Sequence, residues 1–265
     1  MKVAYLGPEG SYSGVAAEMM LSESERIPCK NFYEAVGLVR SGDADAAVLP
    51  VENTLQGAVT QNLDLLYAEK ELYAVREHIL KIEHRLALKE GASLKDVKRV
   101  YSHQQAILQC GKFLSEKLPF AQTVYTDSTV QSLAKIKSKE DAGIVGSHVK
   151  QDGVVLLSEN IADEPKNFTH FLLVVKGEEK LPLHSQRVYF AANCAHEPGA
   201  LLKMLQILAE HGLNMTKIES RPIKNSPGEY CFFIEFEGDY ADKGVRDALD
   251  RLRAFSKDFR LLGCY

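Results

Sequence analysis

Short apolar runs alternate with amphipathic stretches through the first two thirds of the chain. Val3–Leu6 predicts a buried strand, and Gly7-Pro8-Glu9-Gly10-Ser11-Tyr12-Ser13 turns it into an apolar helix ending at Met20. Asn31 and Glu34 form a capping-box pair for a helix to Arg40, which Ser41-Gly42 stops. Ala46–Leu49 predicts a strand closed by Pro50. A short capped helix is expected over Ser93–Val97, a strand over Arg99–Tyr101, a helix from an Asp127 cap to about Ser138, and a strand over Ala142–Val145. Phe168–Val175 is a further strand. Short apolar strands between helices point to a mainly parallel α/β architecture.

The order changes after Lys176–Pro182, a polar stretch that predicts a linker. Beyond it the expected order is strand, helix, strand, strand, helix, strand. Val188, Phe190, Ala192 and Cys194 share one strand face. Pro198 is expected in the first turn of a helix that buries Leu201, Met204, Leu205 and Leu208 and stops at Gly212. Asn214–Ile223 and Tyr230–Phe236 pair through Asn225-Ser226-Pro227-Gly228. Val245, Leu249 and Leu252 line the last helix before a strand at Arg260–Tyr265. This is a ferredoxin-like βαββαβ unit.

Composition narrows the function classes. A net charge of -4 over 265 residues gives no electrostatic footprint for nucleic acid or an anionic membrane. No apolar run approaches the roughly 18 residues of a membrane span. Five cysteines without CxxC spacing predict reduced thiols in a cytoplasm rather than disulfides or a zinc site. Walker A, GxGxxG, HExxH and GxSxG motifs are absent. The expected site is therefore metal-free and cofactor-free, built from hydroxyls, amides and at most one carboxylate.

Four polar strand-to-helix crossings and one strand carry the candidate chemistry. Gly7–Ser13 offers free N–H groups and a positive helix end to an anion, or is a plain turn with a serine cap. Glu52, Asn53 and Thr54 follow a buried strand, where ligands gather in α/β sheets; Asn53 and Thr54 serve equally well as helix caps. Ser102-His103-Gln104-Gln105-Ala106 and Gly146-Ser147-His148 are the other crossings. In Asn167-Phe168-Thr169-His170-Phe171, alternation puts Thr169 and Phe171 on one face and His170 on the other.

These segments, with Gly199-Ala200-Leu201 and Met215–Pro222, stand in the order found in the prephenate dehydratases, and the chain resembles the monofunctional members over nearly its whole length. The resemblance implies a two-lobed catalytic domain at residues 1–178, akin to type II periplasmic binding proteins, and an ACT regulatory domain at 187–265. It implies decarboxylating dehydration of prephenate to phenylpyruvate, a homodimer or homotetramer, and feedback by phenylalanine. Thr169, Glu52 and Asn53 are then the catalytic candidates. Thr169 would donate to the leaving hydroxyl, and Glu52 would serve as acid if it kept its proton near neutral pH. Ser11, Tyr12, Gln104, Ser147, Phe171 and His170 are the substrate-binding candidates. Gly199, Ala200, Leu201, Glu219, Ser220, Arg221 and Pro222 are expected to hold the effector. His170 departs from the family's usual Thr-Arg-Phe: an arginine binds carboxylate bidentately at any pH, a histidine does not. Alternatives are an arogenate dehydratase, a non-aromatising prephenate decarboxylase, and a non-catalytic sensor of small molecules.

Overall fold

The structure, a computed structural model, describes residues 1–223, 226 and 228–265. Asn225 and Pro227 of the expected strand connection lie outside the described residues. The chain opens with β1 (Lys2–Leu6), α1 (Tyr12–Met20), β2 (Glu25–Cys29), α2 (Phe32–Ser41), β3 (Ala46–Asn53), the two-residue β4 (Gly57–Ala58), α3 (Thr60–Ala68) and β5 (Leu72–Lys81). Local chemistry sets the ends of these elements. Asn31 Oδ1 accepts the N–H of Glu34 at 2.9 Å, while Glu34 reaches back one residue further than expected, to the N–H of Lys30 at 2.6 Å. Gly42, at φ 86°, takes the left-handed turn that ends α2.

Pro50 does not close β3. The strand runs on to Asn53 because its register against a later strand skips Val51, leaving Pro50 beside a bulge where its missing N–H costs no ladder bond.

The chain then crosses into a second lobe. This comprises β6 (His84–Lys89), β7 (Arg99–Ser102), α4 (Gln104–Leu108), α5 (Gly111–Lys117), β8 (Gln122–Tyr125), β9 (Asp141–Gly146) and β10 (Val154–Leu156), with sheet order β10-β6-β9-β7-β8. The helix expected from Asp127 is a 3-10 segment at Val130–Lys135, and Ser128 rather than Asp127 accepts the N–H of Gln131, at 3.2 Å. The chain returns as β11 (Phe168–Lys176), which enters the first sheet antiparallel between β3 and β5. The sheets are thus mixed rather than mainly parallel: β1, β2 and β3 are parallel, as are β7, β8 and β9, and the strand leading out of each crossover, β6 or β11, runs against them. The two crossovers are tied where the N–H of Ile82 donates to Asn167 O at 2.8 Å.

The C-terminal part is β12 (Arg187–Asn193), α6 (Ala200–Glu210), β13 (Met215–Pro222), β14 (Tyr230–Glu237), α7 (Lys243–Phe255) and β15 (Asp258–Cys264), with strand order β13-β14-β12-β15. Gly199, at φ 83°, precedes the first turn of α6, so Pro198 lies before the helix rather than within it. Val188, Phe190 and Ala192 pack under Met204, Leu208, Leu249 and Leu252 on the helical face. Tyr189, Ala191, Phe233 and Leu262 project from the opposite face onto Leu63 and Leu66 of α3. β15 meets β5 at Gly263 and Ala74 and merges the C-terminal sheet with that of the first lobe; a Cβ on Gly263 would come within 2.2 Å of Ala74 O, so only glycine permits the approach.

Candidate active site

Between the lobes lies a cavity of about 320 Å³. The first lobe lines it with Tyr12, Ser13, Asn53, Gln56, Thr169 and Phe171, and the crossovers with Ile82, His84 and Asn167. The second lobe adds His103, Gln105, Gln109 and Thr129. A cavity of about 610 Å³ shares Tyr12, Ser13, His103 and Thr129 with it and opens toward Ser11 and Lys30. At this junction stands the start of α1. Ser11 caps it, accepting the N–H of Gly14 at 3.3 Å and donating its own proton to Leu6 O at 2.7 Å. The amides of Tyr12 and Ser13 precede the first possible intrahelical bond, and an anion is the natural partner for such groups.

Thr169 and Asn53 are direct cross-strand partners on β11 and β3, both almost fully buried on the cleft face. Asn53 neither caps α3 nor faces solvent. Its Oδ1 accepts the backbone N–H of Leu55 at 3.1 Å, which fixes the amide's orientation. Its Nδ2 then donates to Asn167 Oδ1 at 2.7 Å, Thr169 Oγ1 at 2.9 Å and Phe168 O at 3.1 Å. The polarity propagates outward. Asn167, accepting on oxygen, donates from Nδ2 to Gln109 Oε1 at 3.3 Å, and the same oxygen lies 2.9 Å from His84 Nε2. His84 Nε2 must therefore carry a proton. Burial pushes the imidazole below its usual range, against a smaller opposing effect of the Gln109 hydrogen bond, so His84 is a neutral donor near pH 7. At the other end of the relay, Thr169 Oγ1 already accepts a hydrogen bond. Its own proton is left for a group in the cleft.

Other expected site residues are distributed unevenly around this centre. Phe171 lines the cavity floor. Tyr12 also lines it, and its hydroxyl is engaged with the backbone of Glu83 at the crossover: it donates to the carbonyl and accepts the N–H at 3.1 Å. Burial pushes this phenol up, so it stays protonated. Gln104 is exposed and points away; Gln105 and Gln109, one turn apart, are the glutamines on the cleft side. Ser147 borders neither cavity.

Glu52 is a correction, and His170 stands on the face opposite Thr169 where strand alternation put it rather than among the substrate-binding residues. The register pairs them with each other one step beyond Asn53 and Thr169, and alternation turns them to the reverse face of the sheet. Glu52 Oε2 lies 2.6 Å from Lys217 Nζ in the C-terminal part, and His170 Nε2 lies 2.8 Å from Glu77 Oε2. His170's hydrogen bond, its charge and that of Arg187 hold the Glu77 carboxyl below its usual range, with burial opposing. A carboxylate held by an ammonium behind the sheet cannot reach a leaving group in the cleft, and His170 cannot reach a substrate there.

The expected effector residues form two separate groups on one chain. Ala200 and Leu201 line a cavity of about 120 Å³, beside Gly199. Glu219 and Arg221 face inward along β13, whereas Ser220 and Pro222 are exposed. Arg221 is not a solvated charge: it donates to both oxygens of Asp64 on α3, at 3.2 and 2.9 Å.

Sequence reasoning missed His84, Gln105, Gln109 and Asn167 as site residues. Gln105 and Gln109 were detectable from i,i+4 spacing behind a strand end, and Asn167 from its place at the head of the strand carrying Thr169. Nothing local marks His84, whose role depends on where the crossover puts it.

Comparison with known proteins follows the same division. A family model described as prephenate dehydratase matches residues 3–179, and one described as an ACT domain matches 192–254. A prephenate dehydratase of Amycolatopsis methanolica is 34% identical, the alignment covering 100% of this chain and 88% of that one. The solved prephenate dehydratase from Arthrobacter aurescens, in complex with L-Phe, is 33% identical with a TM-score of 0.90, covering 100% of this chain and 89% of that one. A solved structure described as a novel type of quorum quenching acylase is 29% identical with a TM-score of 0.88, covering 100% and 97%.

Proposed function

Because the chain belongs to the prephenate dehydratase family, we propose that its interlobe cleft converts prephenate to phenylpyruvate as a carbon–oxygen lyase, and that its ACT domain binds L-phenylalanine as a feedback effector. The observation that carries this reading is the Asn53–Thr169 pair, whose hydrogen-bond polarity leaves a threonine proton for the cleft. Prephenate loses carbon dioxide from its ring carboxylate while the electrons of that bond expel the ring hydroxyl and the ring becomes aromatic. Aromatisation supplies the driving force. The enzyme's task is to stabilise the departing oxygen, which leaves as hydroxide and becomes water by taking a proton from solvent.

Thr169 donates to that oxygen. A threonine is too weak an acid to give up its proton fully, and Glu52 is behind the sheet, so the step rests on oriented neutral donors rather than on a strong acid. The substrate's carboxylates are served by the amides and Ser13 at the start of α1, with Gln105 and His103 opposite. Phe171, Ile82 and Ala106 supply apolar wall beside them. Fold likeness alone does not separate dehydratase from acylase. The dehydratase reading draws its support from the oriented Asn53–Thr169 donor pair in the cleft.

The catalytic part is assigned to residues 1–178 and the regulatory part to 187–265. L-phenylalanine binding draws support from the relative solved with L-Phe. The cavity beside Ala200 and Leu201 is not lined by Glu219–Pro222, which suits a site completed by a second copy, and β13 is a sheet edge on which two copies can pair. A homodimer or a homotetramer follows. Five free, buried cysteines fit a reducing cytoplasm. No helix among the described residues is long and apolar enough to cross a membrane. Supplying prephenate and arogenate side by side, with products resolved by chromatography, tests the substrate assignment. Phenylpyruvate from prephenate supports it; phenylalanine from arogenate alone, or a non-aromatic keto acid, replaces it.

A further inference from the structure

The two residues that the structure turns away from the cleft are placed directly behind the two that face it. Asn53 pairs with Thr169 across β3 and β11, and Glu52 pairs with His170 one step along the same ladder. Glu52 is held directly by the C-terminal part, and His170 is linked to it through Glu77 of β5. Lys217 Nζ lies 2.6 Å from Glu52 Oε2, and the lysine side chain is only 11% exposed. His170 contacts Glu77, Glu77 lies 3.5 Å from Arg187, and Arg187 lies 3.1 Å from Glu235. Glu235 in turn accepts hydrogen bonds from Thr216 and from the Tyr265 hydroxyl, both at 2.6 Å. The Lys217 ammonium is nearly buried and Glu52 is its ion-pair partner among the described residues, so a shift of Glu52 either carries Lys217 with it or leaves that charge uncompensated.

Position along β13 gives this link its significance. Lys217 stands two residues before Glu219, the first of the candidate effector residues on β13, and β13 is the outer edge of the merged sheet. A displacement of β13 therefore reaches Glu52 through one ion pair, and Asn53 is the next residue.

We propose that Lys217 is a positioning residue for the dehydratase reaction: through Glu52 it holds the backbone that aims the Asn53–Thr169 donor pair, and it carries the occupancy of the ACT domain to the cleft. This rests on the function proposed above. The ladder makes the coupling short, because a donor pair needs only a sub-ångström displacement to lose its alignment with a leaving oxygen.

The full-length chain with Lys217→Met tests this. Expected are a fall in kcat of about tenfold with KM for prephenate changed less than about twofold, the split that a misaimed transition-state donor produces. Calorimetric binding of L-phenylalanine persists in the variant, while the fractional inhibition at saturating L-phenylalanine collapses toward zero. Lys217→Arg restores both. Glu52→Gln reproduces the phenotype from the other side, and the double variant loses no more than either single one. Should Lys217→Met not fold, Glu52→Gln, at a side chain 42% exposed, decides the matter alone. Wild-type kcat and wild-type inhibition in these variants overturn the proposal. A wild-type chain that makes no phenylpyruvate overturns the function beneath it instead, so the two failures are distinct.

Discussion

Replacing Thr169 by valine removes one proton and one acceptor while keeping the shape of the side chain. The site is 9% exposed and lies within a strand, where valine is at least as favourable as threonine. The acceptor lost is one of three served by Asn53 Nδ2, which has two hydrogens; Asn167 Oδ1 at 2.7 Å and Phe168 O at 3.1 Å remain to take both. No buried donor is orphaned. The stability cost is then that of one net hydrogen bond, about 0.5–1.5 kcal/mol, or a fall in Tm of about 1–6 °C for a chain of this size. The catalytic cost is far larger. Removing a donor aimed at developing negative charge lowers kcat by about 10²–10³, or roughly 2.7–4 kcal/mol of transition-state stabilisation. KM should change little, since the donor acts on the departing oxygen. Steady-state kinetics on prephenate beside a thermal melt read both quantities. Thr169→Ser, which keeps the proton and loses a methyl, should stay within about tenfold of wild type. A valine variant within about threefold of wild-type kcat would refute the role of the hydroxyl.

Three further outcomes follow from the same geometry. Asn53→Asp replaces a donor by an acceptor facing three acceptors, so Thr169 turns its proton inward; kcat should fall about 10²–10³, and a near-normal kcat would show that the relay does not run in the direction derived. Arg221→Met removes the bidentate grip on Asp64; because both side chains are partly exposed, screening limits the cost to about 1 kcal/mol, seen as a Tm loss of about 2–4 °C, and an unchanged Tm would mean that the pair carries no weight. Burial lowers the His84 imidazole from 6.5, so as pH falls below that value the unfolded chain takes up the proton before the folded one does. Stability contributed by His84 therefore declines with acidification below about pH 6.5, and His84→Gln should flatten the dependence of Tm on pH there. A wild-type slope in that variant would contradict a neutral buried His84.

Much of this was legible along the chain because it is written locally. The capping chemistry around Asn31 and Gly42, the strand–helix alternation and the βαββαβ order all depend on neighbours within a few residues. The face assignment of Thr169 and Phe171 also followed from alternation alone. What failed depended on the partner strand. A proline inside β3 reads as a stop until the opposite strand is seen to skip Val51, and with the strand extended, Glu52 falls on the reverse face rather than at a strand end. The polar crossing at Ser102 gave the right segment and the wrong glutamine, since Gln104 and Gln105 differ only in helical phase. His84 and the ion pairs of Glu52 and Arg221 join residues 25 to 165 positions apart, and no local signal encodes such meetings.

The most direct test of the account is phenylpyruvate formation from prephenate by the purified full-length chain, measured with and without L-phenylalanine. Steady formation of phenylpyruvate that L-phenylalanine suppresses is the predicted result, and it ties the cleft to the C-terminal part in one experiment. Prephenate bound but not consumed, or consumed without an aromatic product, would contradict it.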